Sequence, residues 1–343
     1  MRILFLGESY RADAQTWYLG TQNASGLPVE IKELPSTGGR FSRMIKAVKF
    51  LIGLVFSSEK YDIVLAERST SYGFFSLFVK TKIRVVAQQG ITDCWPDKGF
   101  AGWYKRHLQR AIYQRADRIH AWGYVMTYSM LERGTPPSRI RVKPKGLDLN
   151  RYTFAEHSPE EQVTAIVTRS LFDIYRHEDI LEGIYLLKQK GITIRCLMVG
   201  DGAERDKLHA LTQKLGLSQQ IDWLGRIPNP ELPALLRKAS LYLAVPTTEG
   251  VSSSLFEAMA CGCFPIVTDL PANRAFIANG VNGLLVEVCN PAHLATQIEV
   301  FLENRNLFRK GILENRNFID KNCNVEKNMK EFFEDYVQLA NSK

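Results

Sequence analysis

Glu249-Gly-Val-Ser-Ser-Ser-Leu-Phe-Glu257-Ala-Met-Ala is the stretch on which the reading of this chain turns. The apolar run Leu241-Tyr-Leu-Ala-Val-Pro246 precedes it and reads as a buried strand. Two threonines and Glu249 follow, then a serine cluster, then a short helical pattern of Leu, Ala and Met. Ser252, Ser253 and Ser254 are N-cap candidates for that helix. A strand–loop–helix unit of this kind aims unpaired backbone N–H groups at one spot, which suits an anion. Glu249 falls in the loop, with Gly250 and Val251 beside it, and Glu257 falls about one turn into the helix. Phosphates want N–H donors and sugar hydroxyls want acceptors, so the pattern suits a phosphorylated sugar compound. Two solvated glutamates at an ordinary αβ junction would give the same local pattern.

The longer string carries more. After the helix come Phe264-Pro-Ile-Val-Thr-Asp269 and Asn279-Gly-Val-Asn-Gly-Leu-Leu285. Together these segments resemble the donor-site signature of glycosyltransferase family four, whose members are retaining, nucleotide-sugar-dependent and of GT-B fold. The resemblance implies an α/β chain of two Rossmann-like domains facing across a cleft. It places Glu249 near the transferred sugar and Glu257 on the ribose hydroxyls. It also draws in Gly200-Asp201-Gly202, which follows the strand ending at Val199. As a dinucleotide fingerprint that pair of glycines fails, because the third is missing, and a tight turn would explain it equally. Asp222-Trp-Leu-Gly-Arg-Ile-Pro228 resembles the segment whose main chain reads the base, which falls to Arg226 and Ile227.

A diphosphate needs cations, and the family supplies them from the loop after the first strand of its second domain, without a metal. Here that loop reads Val167-Thr-Arg169-Ser-Leu-Phe-Asp-Ile-Tyr-Arg176. Arg169 and Arg176 are therefore the expected catalytic cations, though Ser170 stands in the usual arginine slot and the spacing is longer. An exposed arginine at a helix start explains Arg176 as well. Arginine can grip phosphate oxygens with two parallel hydrogen bonds where lysine acts as a point charge.

The amino-terminal half departs further from the family. Gly7-Glu-Ser-Tyr-Arg-Ala keeps one glycine after the first strand, and Val85-Val-Ala-Gln-Gln-Gly-Ile-Thr-Asp93 lacks the family's histidine. Gly7, Gln89, Gly90 and Asp93 are the acceptor-side candidates that remain. The Pro/Gly-punctuated segment Val142-Lys-Pro-Lys-Gly-Leu-Asp148 divides the chain near residue 150. Residues 1–150 would form the acceptor domain and 151–343 the donor domain, with the last helix packing back on the former, as in the family. Beyond 150, strand-like apolar runs at Val163–Val167, Ile192–Val199, Ile221–Leu224, Leu241–Val245, Phe264–Thr268 and Leu284–Val286 alternate with helical patterns, as a doubly wound parallel sheet requires.

Charge is uneven. Residues 1–150 hold 23 basic and 12 acidic side chains, a net of +11, so the remainder of this +8 chain is −3. Such a half suits an anionic partner. Arg40, Arg43, Lys46 and Lys49 recur beside Met44, Ile45, Val48 and Ile52, a pattern of membrane-surface helices. A buried helix with a solvated basic edge fits it too. Lys105, Arg106 and Arg110 interleave with Trp103 and Tyr104. The two basic stretches favour anionic lipid or a lipid-pyrophosphate acceptor, and no nucleic-acid module is recognisable. The scattered six cysteines read as reduced thiols, with no zinc-ligand spacing. The short apolar start lacks a cleavage site. The expected location is thus cytoplasmic, at the inner face of the membrane.

The expected activity is transfer of a sugar from a UDP- or GDP-sugar to an acceptor hydroxyl of a glycan or lipid-linked glycan. The nucleotide sugar is a co-substrate, and no cofactor or metal is expected. A sugar-nucleotide epimerase or phosphorylase of the same fold, and a nucleotide-sugar sensor without catalysis, are the competing readings.

Overall fold

The structure is a computed structural model that describes residues 1–35, 39–88 and 99–343. Gln89, Gly90 and Asp93 lie outside the described residues. The chain divides into two compact units, Met1–Gly146 with Asn324–Lys343, and Leu147–Cys323. The division falls slightly before residue 150, and the last helix belongs to the first unit.

Unit 1 runs β1 (Ile3–Leu6), α1 (Ala12–Ser25), β2 (Val29–Lys32), α2 (Arg40–Val55), β3 (Lys60–Glu67), α3 (Gly73–Ser76), β4 (Lys80–Gln88), α4 (Gly99–Arg115), β5 (Arg118–Ala121), α5 (Thr127–Glu132) and β6 (Ile140–Val142). Its sheet is parallel, ordered β2-β1-β3-β4-β5-β6. The edge strands β2 and β6 are short and only partly buried, so they lack the apolar runs that mark the central strands. Right-handed crossovers place α1 on one face and α2, α3 and α4 on the other.

Unit 2 continues with β7 (Thr164–Thr168), α6 (His177–Gln189), β8 (Arg195–Val199), α7 (Arg205–Lys214), β9 (Ile221–Gly225), α8 (Leu232–Leu236), β10 (Leu241–Ala244), α9 (Ser253–Cys261), β11 (Phe264–Thr268), α10 (Pro271–Arg274), β12 (Leu284–Val286), α11 (Pro291–Glu303) and α12 (Arg305–Asn322). Its sheet is parallel in the order β12-β11-β10-β7-β8-β9. Both faces are covered, and the strands alternate between two cores. Ala165, Val167, Leu241 and Leu243 point to one, with α6 and α11. Ile166, Tyr242 and Ala244 point to the other, with α8 and α9.

The final helix α13 (Val325–Asn341) packs on α1 within unit 1. Its Tyr336 is fully buried, accepts from the Trp17 indole at 3.3 Å and lies 2.6 Å from Nε2 of His120. Arg118 grips Asp335 with two hydrogen bonds of 2.7 and 2.6 Å. Burial lowers the His120 pKa to about 3, so this imidazole is a neutral packing group.

Part of the sequence signature is scaffold. Asn279 accepts from Leu285 N at 2.9 Å, and Asn282 bonds Asn315 of α12 at 2.8 Å. A Cβ on Gly311 would stand 2.0 Å from the Val281 carbonyl, so α12 docks on this turn only because residue 311 lacks one. Gly311→Ala should therefore destabilise by about 1–3 kcal/mol, although helix propensity alone favours alanine by about 1 kcal/mol. Urea unfolding measures the sign, and a stabilised variant would contradict this docking.

Candidate functional site

In unit 2 the strand order turns at β7. From β7 the chain builds outward through β8 and β9, then starts again on the other side with β10, β11 and β12. The helices diverge at such a switch point, and ligands of open parallel sheets sit there, beyond the strand carboxyl ends. The loops leaving β7, β8 and β10 meet at this place.

Arg169 leaves β7 and is nearly buried, with side-chain exposure of 13%. Its Nη2 donates to the Glu249 carboxylate and to Ser252 Oγ, and its guanidinium lies 5.3 Å from the centre of the Tyr175 ring. Burial opposes its charge, but the acidic hydroxyl and carboxyl neighbours Tyr242, Glu249 and Tyr175 more than restore it, so its pKa is raised. Ser252 caps α9, accepting from Leu255 N at 3.1 Å. Ser254 Oγ donates to Thr168 O at 3.3 Å, and Thr247 N donates to Ile174 O at 3.0 Å. The β10 loop is thus pinned to the β7 loop at three points, with the start of α9 directed at the same place. Gly250 N adds a bond to Glu249 at 3.2 Å, and Ser253 is exposed while Val251 is half-buried.

The Gly200-Asp201-Gly202 turn leans on the same loop. A Cβ on Gly200, whose φ is +149°, would stand 2.1 Å from the Arg169 carbonyl, and one on Gly202 2.3 Å from that of Leu171. Leu171 N donates to Asp201 O at 3.1 Å. These glycines let two loops touch, and that contact fixes the backbone of Arg169. Gly200 N donates to Gly225 O, which ties in the turn carrying exposed Arg226 and half-buried Ile227.

Arg176 takes a left-handed backbone, φ 52°, and its guanidinium bonds Asp179 at 2.7 and 3.1 Å and pairs with Glu178. Hydrogen bonding to Asp179 raises its pKa. Where Arg169 has one carboxylate partner, Arg176 has two at close range.

Glu257 lies on α9, half-buried. Desolvation pushes its pKa up to about 7, against the lowering effects of Tyr152 and the positive Arg169 and Arg151. Tyr152 gave no signal in the sequence, and its hydroxyl is one of the neighbours that act on this carboxyl.

Unit 1 has its own switch point, between β1 and β3. Gly7 sits there, where a Cβ would strike the Phe5 ring and Glu67. Glu67 is completely buried at the end of β3 and accepts from Glu8 N at 2.9 Å, while its Oε1 makes no hydrogen bond among the described residues. Burial raises its pKa. Arg68 follows with φ 66° and opens a π-helical turn, a combination that costs energy and is common at functional positions. Arg68 donates to Glu8 at 2.9 Å, and Arg11 reaches Glu8, Asp13 and Glu67 at 3.3–3.8 Å. Lys145 donates to the Asp13 carbonyl at 2.9 Å, and burial lowers its pKa to about 8. Only Gly7 of this cluster was expected. The signal for the rest was a carboxylate closing the apolar run Ile63–Ala66.

Residues 150–318, just under half the chain, match the family model of glycosyl transferases group 1. The chain is 32% identical over 243 residues to the UDP-N-acetylglucosamine–peptide N-acetylglucosaminyltransferase GtfA subunit of Streptococcus parasanguinis, covering 67% of this chain and 47% of the relative. It is 24% identical over 247 residues to an uncharacterised glycosyltransferase of Methanocaldococcus jannaschii, covering 69% and 62%. The chain thus spans less than two thirds of these relatives. Among solved structures, Anabaena HepE in complex with UDP superposes with a TM-score of 0.77 at 15% identity, covering 98% of this chain and all of that one. Sucrose-phosphate synthase of Thermosynechococcus elongatus does so with a TM-score of 0.80 at 14% identity, over the full length of both. The fold is GT-B.

The Glu257 pKa has a consequence for stability. An acid raised from 4.5 to about 7 holds more protons folded than unfolded between those values, so its ionisation costs stability as pH rises through them. Glu257→Gln escapes that cost. The variant should melt above the parent at pH 8, with the gap closing as pH falls toward 4.5. Equal melting points across that range would contradict the raised pKa.

Proposed function

We propose that this chain is a retaining glycosyltransferase that moves a sugar from a UDP- or GDP-sugar to a hydroxyl of a glycan or lipid-linked acceptor. The observation that carries the reading is Arg169, a buried guanidinium held by Glu249 and Ser252 at the start of α9. That arrangement is poised for a diphosphate: fixed donors, low solvent access and a helix start at one point.

A phosphate arriving there competes with Glu249 for Arg169. Released from the guanidinium, Glu249 becomes a free acceptor for hydroxyls of the sugar next to the phosphate. Charge on the leaving diphosphate grows as the glycosidic bond breaks, so Arg169 and the α9 N–H groups bind the transition state better than the ground state. Glu257 accepts from the ribose hydroxyls, which requires its ionised form. The leaving phosphate itself takes the acceptor proton, and no metal takes part. Arg176, neutralised by Glu178 and Asp179, supports the loop more than it contacts phosphate. On unit 1, the Glu67 oxygen that makes no hydrogen bond among the described residues, with Glu8 and Arg11 beside it, offers acceptors and donors in near balance, which suits a neutral polyol better than a phosphate.

Nucleotide release from a panel of UDP- and GDP-sugars, with and without membrane extract as acceptor source, tests the activity. Arg169→Gln should lower turnover by about 10²–10³. Glu257→Gln should weaken nucleotide binding by about tenfold or more, from loss of a charged hydrogen bond worth roughly 1.5–3 kcal/mol. In the parent, affinity should rise with pH through 7 as Glu257 ionises, and that component should vanish in Glu257→Gln. Activity abolished by EDTA and restored by magnesium would overturn the role given to Arg169.

A further inference from the structure

Helix α2 faces the wrong way for a core helix. At 100° per residue, Phe50 and Leu54 mark its inner side. Phe50 stacks edge-on against Phe75 of α3 at 5.1 Å, and Leu54 is buried. Opposite them, Phe41, Met44, Ile45, Val48, Ile52 and Val55 share a face about 100° wide, and they are 41–71% exposed. Phe56, just past the helix, is 82% exposed. The expectation of a buried helix with a solvated basic edge is thus overturned, because the larger apolar stripe points outward. Contiguous apolar surface of this kind marks an interaction site on a soluble fold.

We propose that α2 lays this face into the surface of an anionic lipid bilayer. Neither α2 nor α4 contains an acidic residue. Exposed Lys49 borders the apolar stripe, where it would meet lipid phosphates as the apolar face enters the acyl boundary. On the same helical layer, α4 exposes Phe100, Trp103 and Tyr104, with Arg106 and Arg110 exposed nearby. Trp and Tyr favour the headgroup level. A second copy is a poor occupant, since two such basic faces repel. Among the described residues no helix is long and apolar enough to cross a membrane, so the contact is interfacial. This inference does not depend on the transferase reading, since the vesicles that test it contain no nucleotide sugar.

Co-sedimentation with phosphatidylcholine vesicles, with and without phosphatidylglycerol, decides it. The parent should bind the anionic vesicles more tightly than the neutral ones. Val48→Ser/Ile52→Ser should weaken binding at least about tenfold through lost apolar burial, with the melting point unchanged or raised. Lys49→Gln and Arg110→Gln should each weaken it about fivefold at low salt and little at high salt. Failure of the parent to bind phosphatidylglycerol vesicles at low salt overturns the proposal. So does binding that the apolar double variant leaves intact. A concentration-dependent dimer that the double variant dissolves, without vesicle binding, would give the face to a second copy instead.

Discussion

A guanidinium taken almost wholly out of water must be met by acceptors, or its burial costs several kcal/mol. Arg169 meets that demand with Glu249 and Ser252, and in doing so it joins the ends of β7 and β10 where the sheet order turns. The rest of the unit 2 site follows from holding that side chain still. Gly200 and Gly202 are bare so that their turn can press on the Arg169–Leu171 backbone. Ser252 satisfies Arg169 and the first turn of α9 with one oxygen, which fixes where the helix starts. An ion pair of this kind adds little net stability, because desolvation offsets attraction. What it provides is a positive charge kept almost out of water at the strand ends, beside the start of α9.

Unit 1 has a switch point of the same kind, between β1 and β3, with different chemistry. Its switch point carries Glu67, Glu8 and Asp13 against Arg11, Arg68 and Lys145, so no single sign prevails. The basicity of that half lies elsewhere, on the outer helices α2 and α4. The balanced switch point and the basic exterior thus occupy different parts of the unit.

Much of unit 2 is legible in the sequence, because strands buried on both faces must be apolar runs. Phe264–Thr268 and Leu284–Val286 form strands over the residues expected, and β7, β8, β9 and β10 differ only at their ends. Val29–Lys32 and Ile140–Val142 are not legible as strands, because edge strands alternate or stop short. The loop residues Arg169, Ser252 and Glu249 were legible as a motif, and the structure brings them into contact. Tyr152, Tyr175 and Glu67 were not, since each earns its place through burial and neighbours distant in sequence. The glycines of Gly200-Asp-Gly202 were legible as a turn, but their contact with Arg169 depends on strand order, which no local pattern encodes. The direction of α2 was hidden for a related reason: periodicity reveals an apolar face without saying which side meets the protein.

The account rests on the diphosphate meeting Arg169 at the start of α9. Calorimetry of UDP against uridine, and of GDP against guanosine, tests this without knowledge of sugar or acceptor. For the base that fits, the diphosphate should bind at least about a hundredfold more tightly than the nucleoside, as two or more charge-assisted hydrogen bonds require. Arg169→Gln should remove most of that difference while leaving the nucleoside affinity in place. Equal affinity for nucleoside and nucleoside diphosphate in the parent would contradict the account.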